Sequence, residues 1–95
     1  MNQFIAAAIQ LDSTADKAQN VKNAIGFIQE AVVRGAKYIA MPEQMNYAGP
    51  ELAGAAEEIP GGPTFTAMAE QAQKYDVWLH CGSIYEKNGE SGPPL

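Results

Sequence analysis

Of the 95 residues, 46% are hydrophobic, and alanine supplies much of that share, so the expectation is one small domain with a thin core. Eleven acidic against six basic residues give a net charge of −5, which excludes the clustered basic footprint of a nucleic-acid binder. No apolar run approaches the roughly 18 residues of a membrane span, Phe4 to Ile9 lacks the flanks of a signal peptide, and a single cysteine allows no intrachain disulfide and fits a reducing cytoplasm.

Residues 3–10 are a short apolar run without polar alternation, the pattern of a strand covered on both faces in an α/β protein. Asp12, Ser13 and Thr14 follow as candidate caps for a helix. Within 16–34, Ala18, Val21, Ile25, Ile28 and Val32 recur at helical spacing, and Lys17, Lys22, Gln29 and Glu30 fall off that stripe. Arg34 suits the negative end of the helix and Gly35 the left-handed position beyond it. Residues 37–41 read as a second strand, and a helix between two apolar strands implies parallel pairing.

Pro42 stops that strand and Glu43 follows at its carboxyl end, where open α/β sheets place their ligand sites. Apolar walls can raise a carboxyl pKa towards working pH, so Glu43 is a candidate general base. The alternative is a solvated loop residue. Residues 44–62 form a long Gly-, Pro- and Ala-rich connection, of the kind that tends to carry function, with a helical turn expected around Glu51 to Glu58. Gly61-Gly62 reads as a tight turn into the next helix, and no lysine–serine/threonine pair follows to make a phosphate loop.

Pro63 suits a first helical position, after which Phe65, Met68, Ala69, Ala72 and Tyr75 mark a second apolar stripe. Residues 77–85 are expected as a third strand, with Trp78 as a core anchor, an exposed interface role being its alternative, and His80 and Cys81 as core or interface residues. The sole histidine leaves too few ligands for a metal site. His80 and Cys81 also cannot pair as base and nucleophile, since neighbours on a strand face opposite ways. Lys87-Asn88-Gly89-Glu90 is a hairpin turn whose returning strand does not follow, which suggests a truncated sequence.

The ordered set Ala8-Ile9-Gln10, Asn20, Gly35-Ala36, Met41-Pro42-Glu43, Ile59-Pro60-Gly61-Gly62-Pro63 and Gly82-Ser83-Ile84-Tyr85-Glu86 resembles the N-terminal third of a nitrilase-superfamily carbon–nitrogen hydrolase. The resemblance implies an α-β-β-α sandwich, present here as a partial β-α-β-α-β unit with mainly parallel strands and an incomplete sheet. Residues 1–95 would be a single truncated domain. It further implies hydrolysis of small amides or nitriles by a Glu-Lys-Cys triad, without metal or organic cofactor. Glu43 matches the family's general base, and Tyr47 the place of an aromatic lining the substrate pocket, with ordinary loop packing as its alternative. Gln44 and Asn46 could also reach that pocket. Cys81, Lys37 and Lys87 match no triad member, so the chain alone is expected to be inactive. The expected partner is a second copy or a complementary fragment. A rival from another class is a non-catalytic α/β module that self-associates through an open sheet edge. A Rossmann-like nucleotide binder is disfavoured because Gln10-Leu11-Asp12-Ser13 replaces the glycine-rich first turn.

Overall fold

The computed structural model describes residues 3–59 and 61–86. Its elements in chain order are β1 (Ile5–Ala8), α1 (Lys17–Val33), β2 (Ala36–Ala40), α2 (Leu52–Ala55), α3 (Pro63–Tyr75) and β3 (Trp78–His80). The strands form one parallel sheet in the order β1-β2-β3. The fold is therefore α/β with parallel pairing, as the sequence pattern implies. The hairpin read at 87–90 lies outside the described residues.

Strand register divides the sheet into two unlike faces. Ala7, Ile39 and Leu79 stand side by side across the three strands. Ile39 is fully buried, and Ala7 and Leu79 pack against the core it belongs to. The core also holds Ala24, Ile28 and Ala31 from α1, Met68 from α3, and Met41, Met45 and Val77. One residue away, Ala6–Tyr38–Trp78 and Ala8–Ala40–His80 form the rows of the opposite face. That face is open among the described residues: Trp78 is 78% exposed and Phe4 68%. Among the described residues Trp78 is thus not a core anchor but takes the alternative, exposed position, and His80 is exposed beside it. Among the described residues β1 is covered on one face only, the strand expected to be covered on both meeting the core through Ala7 alone.

Helices α1 and α3 keep their expected bounds but turn slightly about their axes, and the helical turn expected around Glu51 to Glu58 is the shorter α2. In α1 the fully covered line is Asn20, Ala24, Ile28 and Ala31, while Val21, Ile25 and Val32 flank it half-buried and Ala18 is exposed. Small alanines let the helix approach the sheet, and Asn20 is drawn inward by hydrogen bonds. Asp16, rather than the three residues before Ala15, caps α1 by accepting the Gln19 N–H at 3.1 Å. Gly35 takes the left-handed turn after the helix, with φ +90°. In α3 the buried positions are Thr64 and Met68, and Phe65 faces outward.

The third strand is shorter than expected. Pairing stops at His80, and Gly82 adopts φ +64° directly beneath the Pro42 carbonyl. A Cβ on Gly82 would lie 1.9 Å from that oxygen, so the chain can pass here only as glycine. From there it runs irregularly to a parallel bridge between Glu86 and Glu57.

Candidate active site at the ends of β2 and β3

Met41 extends the β2–β3 ladder by one bond, its N–H donating to the His80 carbonyl at 2.8 Å. Pro42 has no N–H to continue it. Glu43 follows, and Gln44 then takes a left-handed conformation with φ +50°. For a residue with a side chain that geometry costs about 1–3 kcal/mol and persists only when its surroundings over-determine it. Here they do. The Gln44 N–H donates to Ser83 Oγ at 2.7 Å, and Gln44 Nε2 donates to the Tyr85 hydroxyl at 2.7 Å. The Met45 N–H reaches the Ser83 carbonyl at 3.3 Å, and Ser13 Oγ donates to the Met45 carbonyl at 3.2 Å. The elbow carrying Glu43 is therefore tied down on both sides.

Glu43 itself is exposed and lines a shallow depression of about 280 Å³ with Gln44, Ser83, Ile84 and Tyr85. Among the described residues no hydrogen bond or ion pair involves its carboxylate. The depression opens beyond the carboxyl ends of β2 and β3, the place where α/β sheets present reactive groups. Tyr47 is buried and does not line it; its hydroxyl accepts the Glu51 N–H at 2.9 Å. Cys81 packs half-buried against the core, and burial pushes its thiol pKa up, away from a reactive thiolate. No cluster of three metal-ligating side chains occurs among the described residues.

Behind the elbow lies a polar cluster that sequence patterns do not mark. Glu57, 4% exposed, accepts hydrogen bonds from the Thr64 N–H at 2.6 Å, from the Thr64 hydroxyl and from Asn46 Nδ2 at 2.9 Å. Lys17 Nζ pairs with the same carboxylate at 3.1 Å and donates to the Ala55 carbonyl at 3.0 Å. Because Gly62 has no side chain and Pro63 no N–H, Thr64 offers the first useful donor of α3, and Glu57 caps the helix from outside it. A Cβ on Gly62 would come within 2.7 Å of the Glu57 Cβ, which explains the second glycine of the pair. Asn20 makes a matching staple: its Oδ1 accepts from the Thr14 N–H and hydroxyl, and its Nδ2 donates to the Thr14 and Asn46 carbonyls.

Burial by itself pushes the Glu57 carboxyl up, but the Thr64 hydrogen bonds and Lys17 outweigh it and hold the group below its ordinary value of 4.5. A folded pKa below the unfolded one adds stability that is complete above the unfolded value and is lost as pH falls through the folded value. Urea midpoints measured from pH 7 downward should therefore decline in the wild type below about pH 4.5. Glu57→Gln should be less stable at pH 7 by about 2 kcal/mol, a buried-pair loss discounted because Lys17 is partly exposed. Its midpoint should decline less steeply over the same acid range.

A model of the carbon–nitrogen hydrolase family matches residues 5–93. The chain belongs to that family. Human omega-amidase NIT2 is 38% identical over 90 residues, which are 93% of this chain and 32% of that protein. Nitrilase homolog 2 of Dictyostelium discoideum is 37% identical over 92 residues, 94% of this chain and 27% of that protein. The chloroplastic omega-amidase of Arabidopsis thaliana is 31% identical over 96 residues, 95% of this chain and 26% of that protein. The chain thus spans about a third or less of the length of these relatives. Its parallel sheet with α1 and α3 on one face is a partial nitrilase-like fold.

Proposed function

We propose that residues 1–95 form the N-terminal third of an amidase-type carbon–nitrogen hydrolase in which Glu43 is the general base. The observation that carries this reading is the elbow at Gln44. A costly backbone conformation, pinned by Ser83 and Tyr85, fixes the residue before it at the mouth of a depression at the strand ends. Structural strain held in place by several hydrogen bonds is characteristic of functional positions.

In the proposed reaction a cysteine outside this chain gives its thiol proton to Glu43, and the thiolate attacks the amide carbon. The tetrahedral oxyanion is stabilised by a lysine, also outside this chain. The carbon–nitrogen bond breaks as the leaving nitrogen takes the proton from Glu43, and ammonia departs. Water, deprotonated by the same carboxylate, then attacks the thioester and releases the acid, and the proton returns to the thiol. The substrates are small amides, in keeping with the omega-amidase relatives, or nitriles. Tyr47 enters the proposal only as a support for the wall: it lies buried behind the depression and its hydroxyl holds the 47–51 turn.

The proposed partner is the complementary C-terminal part or a second copy, a reading supported by the apolar outer sheet face of Phe4, Tyr38 and Trp78. The cytoplasm is the proposed compartment, supported by the single free cysteine. Ammonia release from small amides tests the reading: the 95-residue chain alone should release none, and a version extended to the relatives' full length should turn over. An extended, folded protein without amide or nitrile hydrolysis would refute it.

A further inference from the structure

We infer that Glu57 is the positioning residue of this site, setting the Glu43 elbow through Asn46 from a place where it touches no substrate. The inference rests on the reading of Glu43 as the base. Three separate segments converge on the Glu57 carboxylate: Lys17 at the start of α1, Thr64 at the start of α3, and Asn46 in the elbow itself. Asn46 is 1% exposed and is gripped at both ends. Its Nδ2 donates to Glu57 Oε2 at 2.9 Å and to Thr64 Oγ1 at 3.0 Å, and its carbonyl accepts from Asn20 Nδ2 at 2.9 Å.

Asn46 follows Glu43 by three residues, and the left-handed Gln44 lies between them. Asn46 on one side and the Ser83 bond to the Gln44 N–H on the other thus hold both ends of the intervening backbone. The Glu57 carboxylate is the only acceptor among the described residues that takes bonds from all three segments. An amide in its place would turn a donor towards Lys17, Asn46 or Thr64, all of which are donors already. Glu57 is held in turn by its own N–H, which donates to the Tyr85 backbone carbonyl at 2.9 Å, while the hydroxyl at the far end of the same tyrosine takes Gln44 Nε2. The cluster therefore closes a loop that includes both walls of the depression.

Amide hydrogen exchange on the 95-residue chain tests this, comparing Glu57→Gln with Glu58→Gln, an exposed neighbour. Measured relative to the β2 amides, which report the global loss of stability, Gln44 should exchange about 10-fold or more faster in Glu57→Gln, and Glu58→Gln should change neither. A residue that only capped α3 would loosen Thr64 and leave Gln44 alone; that outcome overturns the inference. Should Glu57→Gln fail to fold, Asn46→Ser cuts the tie while leaving Glu57 with Lys17 and Thr64. It should speed Gln44 exchange with Thr64 still protected, and unchanged Gln44 protection would again overturn the inference. Neither readout uses hydrolysis, so a wrong base assignment and a wrong positioning assignment fail separately.

Discussion

Glu43→Gln in a version of the protein extended to the length of its relatives should lower kcat at least about 100-fold, the usual contribution of a positioned proton acceptor. Glutamine keeps the shape of glutamate and its reach but cannot take the thiol proton. The substrate would meet the same walls, so KM should change little, the signature of a group that acts in the transition state rather than in binding. Stability should stay within about 0.5 kcal/mol of wild type. The reason is local: the side chain is exposed, and among the described residues its carboxylate enters no hydrogen bond or ion pair that the substitution could break. The alternative for Glu43, a solvated loop carboxylate, predicts undiminished turnover. Urea unfolding measured alongside the kinetics separates loss of chemistry from loss of fold, and retained kcat in a folded variant would remove Glu43 from the mechanism.

The elements that sequence makes visible here are those whose cause is local. The apolar run ending in Pro42 fixes where β2 stops, because proline cannot donate to the next rung. Gly35 and Pro63 mark helix boundaries because each supplies a backbone state that other residues adopt poorly. Strand parity is a different matter. In 77–85 the apolar residues run without alternation, so hydrophobicity does not say whether Trp78 or Leu79 faces the helices. Register decides it, and Trp78 falls on the outer row with Tyr38. The α1 stripe shifts for a related reason: Asn20 is polar by composition yet buried, because Thr14 and Asn46 satisfy both ends of its amide.

Glu57 was the least visible of all. Its four donors come from Lys17, Asn46 and Thr64, which no helical or strand period relates. One faint signal existed. A glycine pair followed by proline and threonine leaves a helix start with no side-chain cap of its own, so a cap from elsewhere was required. Glu57 and Glu58 were the nearest acidic residues before it. The depression beside Glu43 was likewise only half legible: Met41-Pro42-Glu43 marks one wall, but Ser83 and Tyr85 become its other wall only through contacts across the sheet end.

Those contacts give Gly82→Ala the largest expected effect on stability. The new Cβ would lie 1.9 Å from the Pro42 oxygen, 2.6 Å from the Pro42 carbonyl carbon and 2.8 Å from the Met41 oxygen. All three are backbone atoms, so no rotamer change relieves the overlap. The left-handed φ of +64° adds about 1 kcal/mol for alanine, and the overlap about 3 more, for a total near 4 kcal/mol. Gly61→Ala separates the two contributions. Gly61 also has a positive φ, +117°, but a Cβ there meets nothing within 4 Å, so only the conformational cost of about 1–2 kcal/mol should appear. The chain can survive Gly82→Ala only by moving the Pro42 carbonyl away, which carries Glu43 with it and pulls the Gln44 N–H from Ser83. Denaturant unfolding should therefore rank wild type above Gly61→Ala above Gly82→Ala, and Gln44 should lose exchange protection in the last alone. If Gly82→Ala proved no worse than Gly61→Ala, the close passage of β3's exit under Pro42 would be wrong, and with it the fixed aim of the elbow.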